Sequence, residues 1–328
     1  MRILAVGAAG FIGSHYVRKL LTGGYPSVPD VQVTVFDKLT YAGNQENLAP
    51  VRAHPGLEFV RGDICDTGLL TEVMAGHDAV VNFAAETHVD RSISGSADFV
   101  RTNVAGTHSL LEAARVTRVP RIVHISTDEV YGSIDKGSWT EESPLMPNSP
   151  YAAAKAGGDL LVRAFARTYG LDVSITRCSN NYGPYQYPEK VVPLFVTSLL
   201  EGGTVPLYGD GRNVRDWLHV DDHCRGIQLV LEKGRAGEVY NIGGGEELTN
   251  LQLTRMLLDA CGAGPERVRM VADRLGHDRR YSVDDTKLRA LGYAPRVSFR
   301  QGLAQTVQWY RDNQDWWRAL RAVHAEVG

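Results

Sequence analysis

Two acidic residues stand side by side at the end of an apolar run. The run "RIVHI" (121–125) predicts a buried strand, and Thr127, Asp128 and Glu129 follow it. In a continuous strand Asp128 and Glu129 would point to opposite faces, so we expect the chain to turn here. Two carboxyl groups held close together cannot both ionise easily, and an acid then lies beside a base. Such a pair suits removal of water across a carbon–carbon bond.

A tyrosine and a lysine share the spacing of one helical turn. Tyr151 and Lys155, in "SPYAAAKAGGDLL", stand at i and i+4 near the start of a predicted helix. An ammonium beside a phenol stabilises the phenolate, which predicts a lowered pKa for Tyr151. The phenolate could then take an alcohol proton while hydride leaves the same carbon. Alone, Y-x-x-x-K also arises by chance on solvated helix faces.

A glycine-rich turn predicts the hydride acceptor. Gly7, Gly10 and Gly13 follow the first predicted strand and open the first predicted helix, with spacing G-x-x-G-x-x-G. This arrangement lets the backbone approach a pyrophosphate at a helix N-terminus. Asp37 ends the second predicted strand, where a carboxylate would accept hydrogen bonds from ribose hydroxyls and repel a 2′-phosphate. The pattern therefore favours NAD over NADP, with "GDI" (62–64) placed to reach the adenine.

Alternating apolar runs and amphipathic segments must position these residues. They predict a doubly wound, Rossmann-type parallel sheet with a smaller, mixed α/β substrate-binding lobe. We assign residues 1–178, with returning segments near 212–242, to the NAD-binding domain, and 179–211 and about 243–328 to the lobe. The predicted strands are 2–7, 31–37, 57–63, 78–85, 121–127 and 171–178. The predicted helices are 11–23, 98–117, 150–169, 220–233, 249–260 and 299–322.

Composition narrows the class of protein. The 328 residues are 43% hydrophobic and 22% charged, with a formal net charge of −3, which gives no electrostatic case for nucleic acid or an anionic membrane. The four cysteines, Cys65, Cys178, Cys224 and Cys261, form no C-x-x-C pair, so we expect neither a metal site nor a disulfide framework. The N-terminal apolar run is too short for a signal peptide. We expect a cytoplasmic protein.

The glycine spacing and Y-x-x-x-K together resemble the extended short-chain dehydrogenase/reductase family. In that family a Ser or Thr ahead of the tyrosine binds the substrate oxygen, and Thr127, or Ser126 beside it, matches. Within the family the chain looks like the dTDP-glucose 4,6-dehydratases, over nearly its whole length. The matching segments are "STDEVYG" (126–132), "DKLTYAGNQENL" (37–48), "AAETHVDRS" (84–92), "NSPYAAAKAGGD" (148–159), "RCSNNYGPYQYPEK" (177–190), "GDGRNVRDWLHVDDH" (209–223) and "DRLGHDRRY" (273–281).

The resemblance implies a reaction and a role for each catalytic residue. Tyr151, with Lys155, takes the C4 hydroxyl proton of a nucleoside diphosphate glucose as hydride passes to NAD. Glu129 then removes the C5 proton, Asp128 protonates the C6 hydroxyl, and hydride returns to C6. The product is a 4-keto-6-deoxy sugar nucleotide for deoxysugar biosynthesis. Ala8 stands where the family often has glycine, a small change.

The resemblance also implies binding residues and a partner. Helices 98–117 and 150–169 match those that pair in the homodimers of the family, although the apolar face of 98–117 could equally pack on its own sheet. For NAD the implied contacts are Gly7, Gly10, Phe11, Ile12, Gly13, Asp37, Lys38, Leu39, Thr40, Asp63, Ile64, Ala84, Ala85, Thr102, Tyr151, Lys155 and Asn181. For the sugar nucleotide they are Thr87, Thr127, Asn180, Lys190, Val191, Pro206, Tyr208, Arg215, Asn250, Arg274 and His277. Arg279 and Arg280 are assigned structural ion pairs, and Trp309, Trp316 and Trp317 helix packing.

Other readings stay open at this point. A UDP-glucose 4,6-dehydratase is one alternative, because the preference for thymine or uracil depends on the shape of the pocket. A sugar-nucleotide 4-epimerase or decarboxylase would share the Tyr–Lys pair but would not need adjacent carboxylates. A non-catalytic NAD-binding regulator would keep the fold without the chemistry, yet Thr127, Asp128, Glu129, Tyr151 and Lys155 are all present.

Overall fold

Short, largely apolar runs form the strands of the protein. The computed structural model describes residues 1–327, with side chains described to residue 322. Most strands of the central sheet are buried along nearly their whole length, because helices cover both faces. The strands are β1 (Arg2–Val6), β2 (Gln32–Asp37), β3 (Leu57–Arg61), β4 (Ala79–Asn82), β5 (Ile122–Thr127), β6 (Val173–Cys178), β7 (Asn180–Tyr182), β8 (Val205–Tyr208), β9 (Val214–His219), β10 (Val239–Ile242), β11 (Glu247–Thr249) and β12 (Val268–Val271).

The central sheet has seven parallel strands in the order β10-β6-β5-β4-β1-β2-β3. The strand order reverses between β1 and β4, and open α/β sheets bind ligands at the carboxyl ends of the strands at such a point. The predicted doubly wound, Rossmann-type fold is confirmed, and a smaller mixed α/β part accompanies it.

Helices surround this sheet and build the second part of the molecule. The ends of the helix that carries the predicted Tyr–Lys pair are set by three residues. Ser149 caps its first turn, Pro150 starts it, and Gly170 ends it in the left-handed conformation. The helices are α1 (Phe11–Leu21), α2 (Thr67–Met74), α3 (Val89–Ser94), α4 (Ala97–Val100), α5 (Thr107–Thr117), α6 (Pro150–Tyr169), α7 (Val191–Leu200), α8 (Val220–Lys233), α9 (Asn250–Cys261), α10 (Thr286–Arg289), α11 (Phe299–Asp312) and α12 (Gln314–Val327).

Two predicted helices differ in detail from the structure. The helix predicted over 98–117 consists of α4 and α5 joined by a π-helical segment, Arg101–Gly106, and π-helical turns often mark functional sites. The single helix predicted over 299–322 is wrong, because α11 ends at Asp312, the backbone of Asn313 is not helical, and α12 begins at Gln314. Trp309, Trp316 and Trp317 pack at this corner.

The second part of the molecule has its own small sheets and its own core. β7, β9 and β11 form a three-stranded sheet, and β8 and β12 form a two-stranded one. α7, α9, α11 and α12 pack around these sheets through a separate apolar cluster. The chain returns to the central sheet through α8 and β10, so the two parts of the molecule interleave along the sequence. The predicted domain boundaries at 178, 212 and 242 stay a proposal. No described helix is long and apolar enough to cross a membrane.

Candidate active site

A cavity of about 330 Å³ opens at the carboxyl ends of the central strands. Its walls bring together the glycine turn after β1, the carboxylates after β5 and residues of α6. The predicted residues that line it are Gly7, Gly10, Phe11, Ile12, Gly13, Asp37, Lys38, Thr40, Asp63, Ile64, Ala84, Ala85, Thr87, Thr102, Thr127, Asp128, Glu129, Tyr151, Lys155, Asn180, Asn181, Lys190 and Val191.

The three glycines of the turn have two different structural roles. A Cβ on Gly7, whose φ is +75°, would lie 2.4 Å from Cα of Ala84, and one on Gly13 would lie 2.6 Å from Cα of Ala8. Both glycines are therefore required for close packing of strand, turn and helix. A Cβ on Gly10 would meet only the Gly7 carbonyl oxygen within 4 Å, so this side of the turn is open to a ligand. The first N–H groups of α1 have no carbonyl partner within their own helix, which suits a pyrophosphate.

Asp37 is held by the backbone on either side of it. Its carboxylate accepts hydrogen bonds from the N–H of Ala9 at 2.9 Å and of Leu39 at 2.8 Å. Burial raises the pKa of Asp37, and these two hydrogen bonds lower it. Leu39 adopts φ +57° and does not line the cavity, so its part is to orient Asp37. A carboxylate has about four acceptor positions, so about two remain for ribose hydroxyls.

The predicted turn after β5 is a short 3₁₀ helix, Asp128–Tyr131. The Thr127 hydroxyl accepts the Glu129 N–H at 3.3 Å and donates to Oδ1 of Asp128 at 3.3 Å. Gly132 then ends the turn with φ +81°, where a Cβ would lie 2.3 Å from the Met146 carbonyl oxygen. Both carboxylates consequently line the cavity instead of pointing to opposite faces of the strand.

The two carboxyl groups differ in their surroundings. Burial raises the pKa of Asp128 well above its usual value, and the negative charges of Glu129 and Asp216 raise it further. Burial also raises the pKa of Glu129, but the charges of Arg274, Arg215 and Lys190 oppose that shift. Asp128 therefore keeps its proton more readily and is suited to act as the acid, while Glu129 ionises more readily of the two and is suited to act as the base.

Tyr151 and Lys155 occupy the first two turns of α6. The Lys155 ammonium donates to the Ile125 carbonyl oxygen at 2.7 Å, which fixes it beneath the end of β5. Burial raises the pKa of the Tyr151 hydroxyl well above its usual value, Glu129 adds to that shift, and a hydrogen bond with Thr127 opposes it. The predicted lowering of this pKa is thus wrong, because the loss of solvation on burial dominates.

Lys190 crosses from the second part of the molecule to the cavity wall. Its ammonium donates to the Thr87 carbonyl oxygen at 2.7 Å, and burial lowers its pKa. Asn181, which lines the cavity, donates to the Ser179 carbonyl oxygen and pairs through Oδ1 with Nδ1 of His223 at 2.9 Å. Its amide is therefore held in one orientation.

Six predicted substrate residues lie outside the walls of this cavity: Pro206, Tyr208, Arg215, Asn250, Arg274 and His277. Arg215 is buried, donates to the Asp278 carbonyl oxygen at 3.0 Å and lies 4.2 Å over the ring of Tyr281. Arg274 faces Asp90 at 3.7 Å and lowers the pKa of Glu129. These cations therefore form a positive region behind Glu129. Arg279 and Arg280 pair with Asp210 and Glu247, as expected.

Several cavity residues were not predicted. Glu86, Gln186, Tyr187 and Glu189 all line the wall. The Glu189 carboxylate accepts a hydrogen bond from the Tyr41 hydroxyl and lies 3.4 Å from Nε of Arg91, whose guanidinium stacks 3.9 Å over the Tyr41 ring. We call Tyr41, Arg91 and Glu189 the clasp. These three residues come from distant segments of the sequence, so no local pattern could predict that they meet.

By fold and site geometry the molecule has the architecture of the extended short-chain dehydrogenases/reductases. The family model described as GDP-mannose 4,6 dehydratase matches residues 4–306. A dTDP-glucose 4,6-dehydratase from Streptomyces niveus is 63% identical over 100% of this chain and 98% of its own length. One from an Actinoplanes strain is 61% identical, over 97% of this chain and 100% of its own. The chain belongs to the family described by the GDP-mannose 4,6 dehydratase model, in its dTDP-glucose 4,6-dehydratase branch.

Solved structures of two branches of the family resemble this chain to different degrees. The crystal structure of DesIV (dTDP-glucose 4,6-dehydratase) from Streptomyces venezuelae with NAD and TYD bound is 66% identical, with a TM-score of 0.96 over 98% of this chain and 100% of that one. A UDP-glucose 4-epimerase with UDP-glucose from Thermotoga maritima shares the fold, with a TM-score of 0.87 over 96% of this chain and 100% of that one, at 36% identity. The dehydratase branch is thus much closer in sequence than the epimerase.

Proposed function

We propose that the protein is an NAD-dependent hydro-lyase that converts dTDP-glucose to dTDP-4-keto-6-deoxy-glucose. The observation that carries the proposal is the turn at Asp128 and Glu129, which aims two carboxyl groups of different proton affinity into the cavity that Tyr151 lines. A 4-epimerase has no step that needs such a pair. The identity to the Streptomyces dehydratases supports the choice of substrate.

The residues around the glycine turn fit NAD. The open side of Gly10 and the first turn of α1 would hold the pyrophosphate, and Asp37 the adenosine ribose. NAD, when bound, supplies a hydride acceptor at C4 and later a hydride donor at C6, and its oxidised ring adds positive charge near Tyr151.

For oxidation at C4, Tyr151 in its phenolate form takes the substrate hydroxyl proton. Thr127 bonds the same substrate oxygen from the end of β5, and its contact with Tyr151 sets the distance between the two hydroxyls. The Lys155 ammonium, fixed on the Ile125 carbonyl, supplies the positive charge that favours the phenolate. These three side chains sit on rigid elements, which keeps them in reacting geometry.

For elimination, Glu129 removes the C5 proton, which the new C4 ketone has made acidic. Asp128 protonates the C6 hydroxyl as it leaves as water. The charges of Arg274, Arg215 and Lys190 favour the ionised Glu129, and the like charges near Asp128 favour its protonated form. Of the two groups, Asp128 therefore holds its proton more firmly than Glu129, which matches the roles of acid and base.

For the substrate, the positive region behind Glu129 would receive the diphosphate. Arg215 and Arg274 offer bidentate donors for phosphate oxygens. His277, whose ring lies 6.3 Å from that of Tyr208, and Pro206 and Asn250 would complete the nucleotide site. Thr87, Asn180, Lys190 and Val191 would hold the glucose and the adjoining phosphate from the cavity side.

We also propose that the protein works as a cytoplasmic homodimer. α6 carries a solvent-facing stripe of Ala153, Gly157, Leu160 and Ala164, spaced as in a helix that packs against another. Leu160 is 55% exposed, and Val100 on the neighbouring α4 is 52% exposed. Burying these faces against a second copy would remove the apolar surface from water. The four cysteines are free thiols, as suits a reducing compartment.

The test of this function is incubation of the purified protein with dTDP-glucose, followed by mass spectrometry of the sugar nucleotide. We expect loss of one water with no net formation of NADH. UDP-glucose in a parallel reaction measures the preference for the base. An unchanged mass with both substrates would refute the dehydratase assignment, and epimerised product of unchanged mass would favour the 4-epimerase.

A further inference from the structure

A buried ion pair lies behind the cavity and has no place in the proposed chemistry. Arg177 on β6 donates from Nε to Oδ2 of Asp159 on α6 at 2.9 Å. Arg177 is 1% exposed and Asp159 is fully buried, and neither lines the cavity. Burial of two charges costs several kcal/mol per ion, which their attraction only about repays. Such a pair is therefore poor evidence of stabilisation and better evidence of a required geometry.

The guanidinium of Arg177 also reaches the turn that carries the two catalytic carboxylates. Its Nη1 donates to the Tyr131 hydroxyl at 2.8 Å, and its carbon lies 4.8 Å over the ring of Tyr131. The Tyr131 hydroxyl in turn donates to Oδ1 of Asn241 on β10 at 2.9 Å. Tyr131 belongs to the same 3₁₀ turn as Asp128 and Glu129. The phenol is fully buried, so these polar contacts have no competition from water.

Asp159 connects the other end of this network to the helix of the proposed base. It lies one helical turn beyond Lys155 and two turns beyond Tyr151, so all three share one face of α6. Gly158 lets this face approach its neighbours, since a Cβ there would lie 2.6 Å from the Asn103 carbonyl oxygen. The guanidinium of Arg177 therefore bridges α6 and the carboxylate turn with one rigid, planar group.

We propose that Tyr131, Arg177 and Asp159 are positioning residues that fix the carboxylate turn relative to α6. This inference rests on the proposed function, because the two elements carry the groups for its two half-steps. C4 oxidation needs only α6 and Thr127, whereas elimination needs Asp128 and Glu129 aligned with a sugar that Tyr151 and Thr127 have already placed. Loss of the network therefore slows elimination more than oxidation. A misplacement of about 1 Å costs on the order of a hundredfold in rate.

The test is Tyr131→Phe, which removes one hydroxyl and keeps the ring. We expect retention of NAD to stay as in the unsubstituted protein and KM for dTDP-glucose not to rise. We expect kcat for dehydration to fall about ten- to a hundredfold, with NADH absorbance appearing during turnover because oxidation outpaces elimination. Arg177→Lys should act in the same direction, because a compact ammonium cannot bond Asp159 and Tyr131 together.

The matched control is Tyr293→Phe, which loses another buried hydroxyl, one that donates to the Gly243 carbonyl oxygen at 3.2 Å. Equal kinetic effects of Tyr131→Phe and Tyr293→Phe, or a fall in kcat without NADH, would overturn the positioning role. Hydrogen exchange separates this failure from failure of the proposed function. Tyr131→Phe should speed amide exchange over 128–131, and Tyr293→Phe should not, even if the protein acts on another sugar nucleotide.

Discussion

The Tyr41 hydroxyl donates a hydrogen bond to the Glu189 carboxylate at 2.9 Å, joining segments 148 residues apart in sequence. Tyr41 follows β2, whose end carries Asp37, and Glu189 precedes α7 in the second part of the molecule. Arg91, from α3, contacts both partners. Thr40, Ala42 and Glu189 line the cavity, so the clasp closes the wall around the proposed cofactor site. A reaction that regenerates its cofactor in every cycle has no need to release it.

Tyr41→Phe should therefore weaken retention of NAD. The change removes a hydrogen bond to a buried carboxylate, worth about 1.5–3 kcal/mol, which corresponds to roughly a ten- to hundredfold faster dissociation. The measurement is the rate of NAD loss on dilution, followed by activity with and without added NAD. Tyr25→Phe is the control, because the described residues offer its buried hydroxyl no hydrogen-bond partner. Equal dissociation rates in the two variants would show that the clasp does not hold the cofactor.

Asp128→Asn and Glu129→Gln should stop the reaction after oxidation at C4. Each keeps the shape of the side chain and removes its proton transfer, which contributes about 10²–10⁴-fold. We expect NAD and dTDP-glucose to bind nearly normally and NADH to accumulate on mixing, in amounts no greater than the enzyme. Rapid mixing with absorbance detection measures this. If neither variant forms NADH, the carboxylates act before or during oxidation and the assigned roles are wrong.

Tyr151→Phe should block oxidation itself. The ring still packs against Phe99, while the proton acceptor is gone. We expect no NADH on mixing with substrate, a fall of about 10²–10⁴-fold in kcat, and NAD content equal to that of the unsubstituted protein. Substrate affinity, measured by calorimetry, serves as the control for a correctly folded site. Loss of NAD from this variant and from both carboxylate variants alike would contradict the division of roles.

Asp128→Asn should also stabilise the fold at neutral pH. The folded-state pKa of Asp128 is raised above its usual value of 3.8, so the folded state binds more protons than the unfolded chain between these two values. The free energy of unfolding therefore falls as pH rises through that window, and the amide removes this loss. We expect a higher Tm for the variant near neutral pH, with the difference vanishing below the unfolded pKa.

Asp221→Asn provides a comparison of opposite sign. A hydrogen bond from His15 holds the pKa of Asp221 below its usual range, and Lys19 adds to the effect. This carboxylate stabilises the fold above the unfolded pKa, and the contribution is lost as pH falls through the folded pKa. Its amide should lower Tm near neutral pH. A lower Tm for Asp128→Asn as well would refute the proposed cost of burying that group.

Leu160→Arg should disrupt the proposed dimer. An arginine would place a charge in the centre of the apolar stripe on α6, where a second copy would bury it at high cost. Light scattering after size exclusion should give the mass of a dimer for the unsubstituted protein and a smaller mass for the variant. Arg163→Ala, on the same helix but outside the stripe, is the control. Identical masses for all three proteins would place the interface elsewhere or exclude it.

The parts that sequence could predict depend on local rules. The glycine turn, the strand preceding Thr127 and the capped helix from Pro150 each combine a periodic pattern with a specific terminal residue. The turn at Asp128 and Glu129 was predicted because adjacent residues of a strand point to opposite faces, so two neighbouring acids can act together only where the strand ends. These rules act within a few residues, so a single amino-acid sequence is enough to predict the features that depend on them.

The remainder depends on contacts that no local pattern records. α7 was not predicted, because Val191–Leu200 is apolar nearly all round and contains Pro193, so it shows no helical alternation of polar and apolar residues. The pKa of Tyr151 depends on how completely the folded chain buries it. The clasp and the Arg177 network each join three separate segments. Whether a residue such as Arg215 lies in the cavity wall or behind it is likewise decided by packing.

The chain passes back and forth between the two sheets: β6 lies in the large one, β7 and β9 in the small one, β10 in the large one and β11 in the small one. Neither half is one continuous piece of sequence, so neither can be exchanged between enzymes as a single segment. Replacement of single side chains is then the direct route to a new substrate preference. Each replacement then has to preserve the packing of both parts of the molecule.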